Sequence, residues 1–172
     1  MNTEVSIRAF VQQDTEQVRA LFIAANRLLA PSHLRDAFEA YIAQSLVEEI
    51  DWVADYYGER DGGFWVAIGG DRLLGMFGLE RVADGVMELR RMYVDSAARR
   101  CGIAREMLRF AEDECRRRKM FRLDLSTSKL QEAALSLYRS AGYRLVREEV
   151  AATTSNKTVG AGINRFYFEK TL

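Results

Sequence analysis

The 172-residue sequence predicts an α/β fold of the α+β kind. Its core is one mixed, mostly antiparallel sheet of about seven strands, flanked by helices on both faces. Three observations carry this reading. The segments follow one another as β-α-α-β-β-β-α-β-α-β-β, so tight hairpins share a sheet with longer connections. The unit from Val86 to Leu125 is strand, helix, strand, which calls for parallel strands joined by a right-handed crossover. The composition, 48% apolar and 29% charged with a single proline, is that of a globular chain long enough to bury a core as one domain over residues 1–172.

Val5-Ser6-Ile7-Arg8 reads as a short first strand. Asp14 or Thr15 is placed to cap a helix carrying Val18, Leu21, Phe22, Ala25, Leu28 and Leu29 at helical spacing. Pro31-Ser32 breaks it, and Ser32 is placed to cap a second helix running to about Tyr57. Its recurring positions are Leu34, Phe38, Tyr41, Ile42, Ser45, Leu46, Glu49, Ile50, Trp52 and Val53. Gly58 and Asp61-Gly62-Gly63 mark its end. Phe64–Ile68 and Leu73–Leu79 form a hairpin around Gly69-Gly70-Asp71. Asp84-Gly85 then opens a strand over Val86–Val94.

That strand contains a phase slip. Met87 and Leu89 alternate, and the next apolar pair is Met92 and Val94. The step from Leu89 to Met92 is one residue too long, which predicts a β-bulge, a device common beside active sites. After it comes Arg99-Arg100-Cys101-Gly102-Ile103-Ala104-Arg105, a small-residue loop entering a helix with Met107, Leu108, Ala111 and Cys115 on one face. Backbone N–H groups at a helix start lack intrahelical partners and carry the positive end of the dipole. The loop is therefore a candidate phosphate site, strengthened by two arginines. Gly102 alone would equally suit a turn. Phe121–Leu125 is the next strand. Gln131–Ala141 is a helix stopped by Gly142. Tyr143–Val146 and Asn164–Lys170 complete the sheet, with a small, polar, mobile loop expected over 151–162.

Arg99-Arg100-Cys101-Gly102-Ile103-Ala104 resembles the Gln/Arg-x-x-Gly-x-Gly/Ala signature of the GNAT superfamily of acyl-CoA-dependent N-acyltransferases. Glu88-Leu89-Arg90-Arg91-Met92-Tyr93-Val94 is similar to the family's fourth strand. Ala134-Leu135-Ser136-Leu137-Tyr138 with Ala141-Gly142-Tyr143 is similar to its Ala-x-x-Leu-Tyr…Gly-Phe/Tyr element. Ala104 replaces a commoner glycine, and Gln131 stands where many members have a cofactor-contacting asparagine. The N-terminal third matches only in layout.

The resemblance implies acetyl-CoA as cosubstrate, with the pantetheine arm between splayed fourth and fifth strands against Met92, Tyr93 and Val94. The pyrophosphate would lie on the N–H groups from Arg100 through Gly102, Ile103 and Ala104 to Arg105. It further implies direct attack of an amine on the thioester, with a bulge N–H such as that of Val94 at the oxyanion and Tyr138 as acid. A tyrosine on that face also suits the core. For the base, Glu88 is the first choice, working through a water, and Glu80 the second; exposed strand carboxylates are the plain alternative. Tyr56, Tyr57, Trp65 and Phe77 suit either an acceptor pocket or the core. His33 and Cys101 are read as bystanders.

The expected acceptor is a small-molecule amine. The rival readings are a protein amine, or an acyl-CoA-binding sensor that keeps the loop without the chemistry. Family members are often homodimers. The formal net charge is zero, yet residues 90–122 hold eleven Lys/Arg against five Asp/Glu, and residues 33–61 hold two Arg against eight Asp/Glu. The basic block lacks the aromatic interleaving expected of a nucleic-acid binder. No run is long and apolar enough for a membrane span, and Met1–Ile7 lacks leader character. Two cysteines and one histidine suggest neither a disulfide framework nor a metal site, and a cytoplasmic setting is expected.

Overall fold

The computed structural model describes residues 4–172. Residues 1–3, part of the stretch read for leader character, lie outside the described residues. Seven strands form one sheet: β1 (Val5–Ala9), β2 (Gly63–Gly69), β3 (Arg72–Ala83), β4 (Val86–Val94), β5 (Arg122–Ser128), β6 (Arg144–Ala151) and β7 (Ile163–Thr171). Their order is β1-β2-β3-β4-β5-β7-β6. Only β4 and β5 run parallel, joined through helix α4 (Ile103–Arg117) as the strand–helix–strand pattern predicts. The remaining helices are α1 (Thr15–Leu29), α2 (Arg35–Glu48), α3 (Val53–Gly58) and α5 (Glu132–Ser140). Among the described residues no helix is long and apolar enough to cross a membrane.

Two cores explain why both sheet faces are covered. Trp65, Ala67, Phe77, Leu79, Met87 and Leu89 contact Met107, Leu108, Ala111 and Tyr138 of α4 and α5. Phe64, Val66 and Met76 lie on the opposite face against Val18, Phe22, Phe38, Ile42 and Tyr57 of α1 to α3. Successive side chains of β2 thus enter different cores, because strand side chains alternate between faces. Tyr56, Tyr57, Trp65 and Phe77 are all core residues here. His33 is exposed.

Three expectations need correction. The long second helix is two: α2 stops at Glu48, a 3-10 turn covers Ile50–Trp52, and α3 follows. Glu49 leaves helical geometry at φ −146°, ψ −58°, turning its carboxylate to buried arginines. Asp14, not Thr15, stands at the N-cap of α1, but it makes no side-chain cap bond to that helix, and Pro31 rather than Ser32 stands at the N-cap of the turn before α2. Asp14 instead accepts from Val11 N at 2.9 Å and pairs with Arg8 at 2.8 Å. The last hairpin is longer than predicted, and its 151–162 connection is tied down, with Val159 buried and Asn156 bonded to Glu49.

Candidate active site

The phase slip in β4 is a bulge. Gly78 pairs with Arg90 and Met76 with Tyr93, so two steps along β3 match three along β4. The extra residue sits at Arg91, whose φ is +57°, a left-handed conformation that non-glycine residues rarely take. The consequence is geometric. Consecutive strand side chains normally face opposite ways, whereas Arg90 and Arg91 both reach Glu49. Met92 then turns towards α5.

Beside the bulge, β4 and β5 part. Their pairing runs from Val86–Arg122 to Leu89–Leu125 and goes no further. Asp95 N donates to Leu74 O of β3 at 2.8 Å. Because N–H directions alternate along a strand, the N–H groups of Val94 and Met92 point the other way, towards the gap. The gap is a cleft of about 580 Å³ bordered by Glu88, Met92, Tyr93, Thr127, Gln131 and Tyr138, among others.

On the α4 side the candidate phosphate loop takes a helix-initiating form. Asp95 Oδ1 accepts from Ala97 N, fixing the turn after β4. Arg100 and Gly102 have φ of +63° and +79°. Glu106 N makes the first helical bond, to Gly102 O at 3.0 Å, so Ile103, Ala104 and Arg105 direct unpaired N–H groups out of the helix start. A Cβ built on Gly102 meets nothing within 4 Å. Glycine is therefore required here by the backbone conformation, and the space before the loop stays open for a ligand. Arg105 Nη2 donates to Ser140 Oγ at 3.1 Å, tying the loop to α5, and Arg99 and Arg100 are exposed. Cys101 lies on the surface at this turn, with its thiol 3.6 Å from Arg99 O.

Tyr138 is buried in α5 with its hydroxyl 4.0 Å from Met92 Sδ, at the wall of the cleft. Burial, helped by neighbouring Tyr93, raises its pKa above the ordinary phenol value. Burial also pushes Tyr93 up to about 12. Gln131 uses Oε1 to accept from Thr127 Oγ1 at 2.7 Å and from Ser128 N at 3.3 Å, closing β5 onto α5 at the cleft edge.

Across the sheet, facing α2, lies a charge network that the sequence reading missed. Glu49, with its side chain fully buried, accepts from Arg91 Nε at 2.8 Å, Arg90 Nη2 at 3.0 Å, Tyr57 Oη at 2.7 Å and Asn156 Nδ2 at 3.1 Å. Burial alone would raise its pKa, but the charges and hydrogen bonds of Arg91 and Arg90 outweigh it and hold the carboxyl below its ordinary value. Glu80 and Glu88 are cross-strand partners. Glu80 binds Arg90 at 3.0 Å and Lys157 at 2.8 Å; Glu88 lies 3.4 Å from the same lysine. Those two carboxylates, Glu88 by its charge and Glu80 by hydrogen bond, overcome the lowering effect of burial and raise the Lys157 pKa. One signal of the network is present in the sequence. Glu49 falls on the apolar positions of its helix, where a carboxylate needs a buried partner.

The Acetyltransferase (GNAT) family model matches residues 27–143, well over half of the chain. Human N-acetyltransferase 8 is 31% identical over 110 residues, 60% of this chain and 48% of that protein. N-acetylaspartate synthetase of Danio rerio is 30% identical over 137 residues, 78% of this chain and 48% of that protein. The chain thus spans about half the length of these curated relatives. PaiA N-acetyltransferase of Thermoplasma acidophilum, solved in complex with coenzyme A, superposes with a TM-score of 0.76 at 18% identity, covering 98% of this chain and 99% of that one. A GNAT-family acetyltransferase of Staphylococcus aureus Mu50 gives 0.77 at 18% identity, with coverage of 98% and 99%. Those two likenesses concern the fold. With a family match over the bulged strand, the loop and the Leu-Tyr helix together, this chain belongs to the GNAT acetyltransferase family.

Proposed function

We propose that this chain is an acetyl-CoA-dependent N-acetyltransferase whose amine acceptor attacks the thioester directly in a ternary complex. The observation that carries the reading is the parting of β4 from β5. Tyr138 borders the gap, as do Glu88 and its charged neighbours, and the unpaired N–H groups of the α4 start follow the end of β4.

The residues fit the cosubstrate by their own chemistry. Unpaired N–H groups at Ile103, Ala104 and Arg105, open space at Gly102 and exposed arginines suit a pyrophosphate. The unpaired edge at Met92 and Val94 suits a pantetheine amide chain, which needs backbone partners. Acetyl-CoA supplies the activated acyl group; the chain supplies the rest. The Val94 N–H donates to the developing oxyanion from a rigid strand. Tyr138, kept protonated by its burial, donates a proton to the departing sulfur. Glu88 takes the proton from the acceptor ammonium through a water, since its side chain is 23% exposed while that of Glu80 is 4% exposed and bound to Arg90 and Lys157. The acceptor is a small-molecule amine. An exposed Cys101 and a buried Cys115, both free thiols, suit a reducing compartment such as the cytoplasm.

The test is coenzyme A release from acetyl-CoA across amines, polyamines, amino acids and N-terminal peptides. Amine-dependent release with a small acceptor supports the proposal. Release with peptides only would move it to a protein acceptor. No release, with acetyl-CoA bound in the same samples, would favour a sensor.

A further inference from the structure

On the acceptor face of the cleft the three carboxylates are matched. Glu49 takes Arg90 and Arg91, Glu80 takes Arg90 and Lys157, and Glu88 shares Lys157. Arg165 of β7 is left without a carboxylate, because its cross-strand neighbour Glu149 pairs with Arg147 at 3.1 Å and accepts from Tyr167. Its Nη2 donates to Ser126 Oγ of β5 at 2.8 Å, which orients the guanidinium, and it forms no ion pair among the described residues. It borders the main cleft and also an adjoining hollow of about 360 Å³ walled by Asn26, Phe38, Tyr41 and Tyr93. A half-buried guanidinium with no ionic partner makes an anion the natural ligand. The two cations at the bulge are paired with Glu49 and Glu80; this one is not.

We propose that the acceptor amine also carries a carboxylate, as a free amino acid does, and that Arg165 binds it. The proposal rests on the acyl-transfer reading above. Glu88 and Arg165 line one cleft, so a single small molecule can present its ammonium to the first and its carboxylate to the second. The planar fork of arginine matches a carboxylate with two parallel hydrogen bonds. A carboxylate–guanidinium contact of this kind makes the acid a better acceptor than its amide by about 10- to 100-fold in kcat/KM.

The experiment compares each common amino acid with its α-amide in two readouts. One is coenzyme A release; the other is binding of the N-acetylated acid and amide to the coenzyme A-loaded protein by calorimetry. The expected result is a preference for the acid in wild type, carried in KM, which collapses in Arg165→Gln. Arg165→Lys, which keeps the charge and loses the fork, retains part of it and guards against a folding defect in the first variant. Acid-selective binding that depends on Arg165 without any release would uphold this site and sink the transferase reading. Release that is indifferent to the carboxylate would overturn the site and leave the transferase standing. Neither release nor Arg165-dependent binding would overturn both.

Discussion

Tyr138 and Glu49 show how differently single residues act in this cleft. Tyr138 reaches the gap with its hydroxyl, and its only polar contact there among the described residues is Met92 Sδ. Tyr138→Phe removes the proposed proton donor and keeps the ring contacts with Tyr143 and Phe168. The expected outcome is a fall in kcat of about 10²- to 10⁴-fold with acetyl-CoA affinity nearly unchanged. Turnover and equilibrium binding measured on the same preparation check this, and wild-type turnover would remove Tyr138 from the chemistry. Glu49 touches no proposed substrate atom. It neutralises two arginines that the bulge drives into one buried place. Glu49→Ala leaves both cations without it and should cost about 3–5 kcal/mol, the usual penalty for breaking a buried pair. Urea unfolding gives that number directly; a loss under ~1 kcal/mol, the scale of an exposed pair, would show that water reaches the site.

At the level of elements, β4 and the start of α4 form one device. The bulge at Arg91 and the left-handed Gly102 both place backbone where regular structure would not. Gly102→Val forces a β-branched residue to φ +79°, at a cost of roughly 1–2 kcal/mol before any ligand is considered. Its Cβ also enters the open space before the loop. Both a lower thermal midpoint and weaker acetyl-CoA binding are expected. A variant destabilised as expected but binding acetyl-CoA normally would place the pyrophosphate away from this loop. The bulge was legible in sequence because Leu89 and Met92 break the alternation by one residue. The split of α2 from α3 was not, since Leu46, Ile50 and Val53 keep helical spacing across it. The break follows from Glu49 meeting Arg90 and Arg91, residues about forty positions away whose location depends on the sheet.

For the whole molecule, the ionisable groups set a stability window. Asp14, Glu49 and Glu114 have pKa values held below their ordinary ones. Their contribution is present above the unfolded-state value, near 4 for carboxylates, and is lost as pH falls through the lower folded value. At the other end, burial raises Tyr57, Tyr93 and Tyr138, and carboxylate partners raise Lys157. The folded state then binds more protons than the unfolded one, so stability falls as pH rises above about 10. Denaturant midpoints measured from acid to alkaline pH should form a plateau with losses at both ends. A flat alkaline limb would mean that the buried phenols ionise freely in the fold.

Local pattern was enough for the strand order of appearance, the parallel crossover, the bulge and the loop at Gly102, because each is written in spacing within a few residues. Of the family signature elements, Tyr138 borders the cleft where β4 and β5 part, and Arg99–Ala104 lies at the entry to α4. What local pattern did not contain was the charged face proposed for the acceptor. Glu49, Arg90, Arg91, Asn156, Lys157 and Arg165 come from four separate segments, and their roles exist only once the end of α2, β4, the 151–162 connection and β7 meet on one face. That connection reads as a free loop because its residues are small and polar. It is held instead by Asn156 and Lys157 reaching charged groups that lie distant in sequence. Charge pairing across a sheet has no periodicity along the chain, so those contacts emerge only from the assembled fold.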